Sequence, residues 1–321
     1  MLAGFGWDEE DSATARWYPQ GITTSHDASP EGTWEGREVV LVSWALDGRE
    51  GVRVSFAELG PAGVEGYRHV LLVEPIAGHG PANVDFKRVR VHAGGIAWHG
   101  SHLYVADTLR GMRAFDVEGM LEVSTARADV LGFRDGRAYA EGYRFVMPQV
   151  GAYQLPILRS ILARGPRFSF LSLGRTSPDA LPTLLAGEYR DRRPGARLVA
   201  WPLPDSGAGK LPSTGAGSLR ASEAWVTQRT NLQGALQLDG HMLLASSAGR
   251  RPGSLAVYRG GGLAAVSHPW ATGPEDLALA ASRELLFSLT ERRYDSTSCR
   301  RCGRVVFAVG TSGLGAGPAQ P

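Results

Sequence analysis

The feature that most constrains this chain is a recurrence. Residues 91–116, VHAGGIAWHGSHLYVADTLRGMRAFD, hold three strand-length apolar runs, at 94–98, 102–106 and 112–115. Turn signals at 99–101 and 109–111 part them and suit tight hairpins. The same alternation of short apolar run and break returns at 17–25, 39–45, 52–59 and 69–74, then at 145–154, 167–173, 183–189 and 197–203. It returns again at 232–238, 241–247, 254–259 and 263–268, and lastly at 275–279, 284–290 and 304–309. A four-stranded antiparallel unit cannot cover both of its faces alone, whereas units stacked around an axis cover one another. The expectation is therefore all-β: a single β-propeller over 17–309 with four-stranded antiparallel blades, five favoured and six if 117–150 holds another. A pair of β-sandwiches is the rival. Residues 1–16 read as an acidic, poorly ordered lead-in with Phe5 and Trp7 as anchors. The last blade shows three strands, so this segment is the candidate donor of the strand that closes the ring. Residues 310–321 read as a frayed tail, and 120–128 is the one stretch with helical character.

Composition narrows the function classes. The 42 glycines and 19 prolines break the chain often, and 43% hydrophobic with 21% charged residues fits a globular protein. A net charge of +2 argues against a nucleic-acid or membrane partner, and no apolar run approaches the ~20 residues that span a bilayer. The first residues lack a basic stretch followed by an apolar one, so the expected location is cytoplasmic as written, or extracellular for a trimmed mature form. The expected state is a monomer. Cys299 and Cys302 form a single CxxC, without the further ligands of a zinc site or the βαβ setting of a redox motif. They read as a hairpin pair. No phosphate-cradling motif is present, and no cofactor is expected.

In a propeller the first strand of each blade lines the channel, and the turns leading into those strands ring one rim. Those turns read Tyr18-Pro19-Gln20-Gly21, His92-Ala93-Gly94-Gly95, Gln149-Val150-Gly151 with Tyr153-Gln154, Asn231-Leu232-Gln233-Gly234, and Pro274-Glu275-Asp276. Glycine lets backbones meet near a crowded axis, and the polar neighbours point into the funnel. The expected substrate-binding set is Tyr18, Gln20, Gln149, Tyr153, Gln154, Asn231 and Gln233. The expected catalytic set is Glu275 or Asp276 as general base with His92 as its acid partner. A structural reading competes: such side chains also satisfy buried backbone and channel water. Two carboxylates are few for calcium, so no metal is expected. Gly78-His79-Gly80 is a loop placed to cover the rim.

The run Gly94-Gly95-Ile96 followed by Leu103-Tyr104-Val105-Ala106-Asp107 resembles the propeller group of gluconolactonases, NHL repeats and strictosidine-synthase-like proteins. Gln20 stands where the lactonase-type metal set has glutamate. Trp17-Tyr18-Pro19-Gln20-Gly21, His92-Ala93-Gly94-Gly95-Ile96 and residues 167–173, RFSFLSL, look like a set of actinobacterial β-propeller proteins, a likeness covering most of the chain. The function expected is a cofactor-independent cyclase or isomerase that holds a small, polyketide-like molecule in the funnel, in natural-product biosynthesis. Holding such a molecule in a reactive fold lowers the entropic barrier with few catalytic groups. A secreted, non-catalytic binding propeller is the alternative, and a metal-dependent lactonase-like hydrolase the third reading.

Overall fold

A computed structural model describes residues 3–61, 63–78, 80–155, 165–175, 180–204, 211, 217–259, 265–294, 302–312 and 314. Most of its strands fall into antiparallel sets of four. The first is Trp17–Thr24, Glu38–Leu46, Val52–Gly60 and Gly63–Ala77; the second is Ile96–His99, His102–Asp107, Gly111–Asp116 and Phe145–Gln154. Phe168–Gly174, Thr183–Glu188, Ala196–Pro202 and Glu223–Thr227 form the next sheet, and Leu232–Leu238, His241–Ala248, Arg251–Arg259 and Ala265–Thr272 the one after. The last sheet takes Pro274–Ala280, Leu285–Thr290 and Val305–Gly310 from the C-terminal part and Ala3–Gly6 from the N-terminus.

The leading strands touch in a closed cycle. Trp17–Thr24 meets Ile96–His99, which meets Phe168–Gly174, then Leu232–Leu238, then Pro274–Ala280, which returns to Trp17–Thr24. A ring of antiparallel sheets stacked face to face is the β-propeller arrangement, and it leaves few open edges. Apolar clusters fill the gaps between neighbours: Ile22, Val42 and Trp44 pack with Ala278, Phe287 and Leu289 across one junction, and Leu236, Leu243 and Leu255 pack with Leu277 and Leu286 across the next. The axis is narrow, because Phe168–Gly174 also reaches Pro274–Ala280 and Trp17–Thr24. A Cβ on Gly95 would lie 2.0 Å from Leu171 N, and one on Gly21 would lie 2.7 Å from Ile96 N. Only glycine permits so close an approach of two backbones.

Four expectations need correction. Residues 145–154 do not open the third sheet. Phe145–Gln154 is an outer strand, antiparallel to Gly111–Asp116 and, through Phe145–Pro148, parallel to Val70–Val73 of the first set, which joins the two sets. Its burial alternates beyond Met147, as suits one covered face, whereas Pro274–Ala280 is buried at every residue, as suits an inner strand. The third sheet opens instead at Phe168–Gly174. Residues 120–128 contain the short strand Leu121–Glu122 and no helix. The open funnel expected on the axis is packed at its leading rim, where Gln20, Glu275 and Asp276 are buried.

The fourth correction concerns only the order of the N-terminal segment: it donates the closing strand and is anchored by Trp7 as expected, but it is built of strand and helix rather than being a loose lead-in. Ala3–Gly6 pairs antiparallel with Val305–Gly310. Helix Glu9–Ala13 follows, its start capped by the Asp8 carboxylate, which accepts from Asp11 N at 2.9 Å. Trp7 is buried edge-on against Trp44 and Tyr67, with ring centroids 4.8 and 5.1 Å away. Cys302 is buried and disulfide-bonded. Cys299, His79 and most of the expected tail lie outside the described residues.

Candidate functional site

The leading rim is built by a repeated irregularity. The register against the second strand of a set shifts between Pro19 and Ile22, between Phe168 and Phe170, between Leu232 and Gly234, and between Glu275 and Ala278. Such bulges turn side chains off the pleat. Gln20, Gln233 and Asp276 sit inside them, with Glu275 at the margin. Ala93, Asn231 and Asp276 adopt positive φ (53°, 56° and 32°), a costly backbone for non-glycine residues that the surrounding contacts must hold.

Asp276 is the hub. Its Oδ2 accepts Ile22 N at 3.1 Å and Ile96 N at 3.2 Å, so one carboxyl ties the last sheet to the first and second sets. Its Oδ1 is buried without a partner. Burial pushes its pKa well above the usual carboxylate range, although the backbone N–H groups oppose this. Asp276 is thus bound to other strands through backbone and serves as a structural strut. Lower on the axis, Asp27 accepts the Thr23 hydroxyl at 2.9 Å, and burial pushes its pKa up to about 7.

Glu275 differs from its neighbour because its partners are side chains. Gln233 Nε2 donates to Glu275 Oε1 at 2.7 Å. Burial, then the charge and hydrogen bond of Glu291, push the Glu275 carboxyl well above its usual pKa, and Arg292 only partly offsets this. The antiparallel register that sets Pro274 opposite Thr290 brings Glu291 and Arg292 here. Arg292 Nε is buried without a partner. Gln233, Glu291 and Arg292 are half-buried, so this row of polar groups leads from the closed axis toward solvent. A carboxyl whose pKa is raised in this way, beside a second carboxyl and an unspent donor, is suited to deliver a proton to a bound molecule.

The other predicted residues disperse. His92 lines a cleft of about 760 Å³ between the first and second sets. Burial and the charge of Arg49 push its pKa down to about 4. The shifts run against the expected roles: the Glu275 carboxyl is raised by burial and by Glu291, which favours the protonated form, and the His92 ring is lowered, which favours the neutral form. Gln149, Tyr153 and Gln154 leave the axis with their strand. Gln149 Oε1 accepts from Arg113 Nη1 at 2.8 Å, Tyr153 packs beside Tyr104, and Gln154 is exposed. Asn231 holds a turn, its Oδ1 accepting Arg192 N at 2.9 Å. Gln20 Nε2 donates to Pro19 O at 3.0 Å, and the Tyr18 ring lies under Arg304.

A second polar cluster escaped the sequence. His69 bridges Asp11 Oδ2 (2.8 Å) and Ser55 Oγ (2.9 Å), and Asp11 also receives Arg53 and the Tyr67 hydroxyl at 2.7 Å. Serine, histidine and aspartate in a row invite a hydrolase reading. However, Ser55 is fully buried and its Oγ accepts Trp44 Nε1 at 2.7 Å, which leaves no room for a substrate carbonyl. The cluster is a clasp: Arg304 Nη1 donates to Asp11 O and Thr14 O, both at 2.9 Å, which fixes the N-terminal segment to the last sheet. No group of histidine, cysteine and carboxylate side chains able to hold a metal is found among the described residues.

No protein-family model matches the chain, and no curated protein is significantly similar to it. Among solved structures it is similar to the six-bladed fucose-recognising lectin of Aleuria aurantia, with 8% identity over 86% of this chain and 72% of that one and a TM-score of 0.36. It is similar to the Dos1 propeller at 8% identity, 89% and 69% coverage and a TM-score of 0.31. It is also similar to a Synechocystis apocarotenoid oxygenase at 13% identity, 97% and 67% coverage and a TM-score of 0.32. At these TM-scores the likenesses carry no argument. The propeller reading rests on the strand pairing and the closed cycle of leading strands.

Proposed function

We propose that the chain is a five-bladed β-propeller that acts as a cofactor-independent isomerase or cyclase on a small enolisable molecule. Glu275 gives its proton to the carbonyl oxygen while the Glu291 carboxylate takes the α-proton, so that the enol forms with no net change in protons, and Gln233 and Arg292 orient the carbonyl oxygen. The observation that carries this reading is the Glu275 carboxyl, buried, bonded to Gln233 and raised in pKa by burial and by Glu291. Matched protonation of this kind contributes about 10²–10⁴-fold to proton transfer. The test is incubation in D₂O with a panel of β-keto esters and polyketide-like ketones, read by mass spectrometry. The wild type is expected to label or rearrange at least one of them, and Glu275→Gln to lose that activity by about 100-fold or more. Activity equal in both proteins contradicts the assignment.

A second reading, a non-catalytic binding propeller, is favoured by the close packing of the axis at Gly21 and Gly95. It predicts saturable binding of a panel compound with no label transferred.

A further inference from the structure

The cleft that His92 lines is strongly charged. Six cationic side chains and three carboxylates face it, so it holds more positive charge than the +2 of the whole chain. Much of that charge is spent. Arg113 is bonded to Asp107 at 3.0 Å and Glu74 at 3.1 Å, and Arg88 grips Glu141 through two bonds, at 2.8 and 2.6 Å. These pairs build a rigid floor.

Two guanidiniums are not spent. Arg49, in the turn between Glu38–Leu46 and Val52–Gly60, and Arg110, in the hairpin before Gly111–Asp116, have no side-chain partner among the described residues. They come from different sets and face one hollow. In its wall the Thr108 hydroxyl is buried without a hydrogen-bond partner, and His92 adds a ring nitrogen that donates or accepts without adding charge. A buried polar atom with no protein partner leaves a hydrogen bond that a water or a ligand can make. At about 760 Å³ the cleft is of small-molecule size.

We propose that this cleft binds a small dianion, a phosphate monoester or a dicarboxylate, between Arg49 and Arg110, with Thr108 and His92 as uncharged partners. Guanidinium forks pair with both kinds of anion through short charge-assisted hydrogen bonds. The site does not depend on the chemistry proposed for Glu275.

The test is isothermal titration of the full chain with phenyl phosphate and with succinate, at constant ionic strength, against chloride as the control. One of the two probes is expected to bind saturably at a single site, and which one it is names the source of the dianion. Arg49→Gln/Arg110→Gln is expected to weaken that binding by about tenfold or more, because each variant removes a charge-assisted contact. Both positions lie in exposed turns, and an unchanged melting temperature without ligand checks that the fold is kept. Arg251→Gln, exposed and outside the cleft, is expected to change binding by less than about twofold. Failure of both probes to saturate, binding no different from chloride, or binding that survives the double substitution would each overturn the proposal.

Discussion

Asp276 on the axis and Asp11 in the N-terminal helix are both buried carboxyl groups, yet their surroundings push them in opposite directions. Asp276 accepts two uncharged backbone N–H groups, and burial raises its pKa. At Asp11 burial also raises the pKa, but the His69 bond, the Arg53 charge and the Tyr67 hydroxyl outweigh it and hold the carboxyl well below its usual range. Depth therefore does not decide charge in this ring. The axis is held by neutral hydrogen bonds, and the clasp that closes it is ionic.

Breaking this contrast at the clasp or on the axis gives the two largest expected effects. Asp11→Ala leaves Arg53 buried without its anion, and such losses cost about 3–5 kcal/mol, read by denaturant unfolding. A loss below about 1 kcal/mol would mean that the ring does not depend on its N-terminal strand and helix. On the axis, Asp276→Ala strands the N–H groups of Ile22 and Ile96, at about 1–3 kcal/mol for each buried group left unpaired. Asp276→Asn keeps one carbonyl oxygen for them and should cost less than half as much. Gly95→Ala forces two leading strands apart and should cost about 1–3 kcal/mol. Glu275→Gln replaces a neutral group with a neutral one of the same shape and should change stability by less than about 1 kcal/mol.

The same contrast sets two pH windows of opposite sign. Asp11 titrates lower in the folded chain than in the unfolded one. Its stabilisation is complete above the ordinary carboxylate pKa near 4 and is lost as pH falls toward its lowered value. Asp11→Asn should therefore unfold with less acid dependence than the wild type below about pH 4. Asp27 titrates higher when folded, so the native state holds the extra proton. Its stabilisation is present at low pH and lost as pH rises from near 4 through about 7. Asp27→Asn should flatten that decline in unfolding curves taken across the window.

The fold was largely legible because inner strands and hairpins leave strong local marks. Glycine beside a polar residue marks where leading strands such as Leu232–Leu238 begin, and a last unit one strand short points to the N-terminus for closure. Residues 145–154 misled because their first three residues are as apolar as those of an inner strand. The distinguishing sign is the alternation from Gln149 onward, which marks a face open to solvent. The site was legible in part. Gln233 and Glu275 are 42 positions apart but occupy like places in successive units, so the repeat brings them together. Glu291 and Arg292 follow a second strand, and only hairpin register puts them beside Glu275. The Asp11–His69–Ser55 cluster joins a helix of the N-terminal segment to two strands, a pairing no local pattern announces.

The central claim is that Glu275 is held protonated at neutral pH by its place in the ring. The most direct measurement is a carboxyl-resolved titration of the full chain, with the Glu275 Cδ resonance assigned by its disappearance in Glu275→Gln. The account predicts a resonance still in the protonated position at pH 7. Titration near the ordinary glutamate pKa of about 4.3 would contradict it.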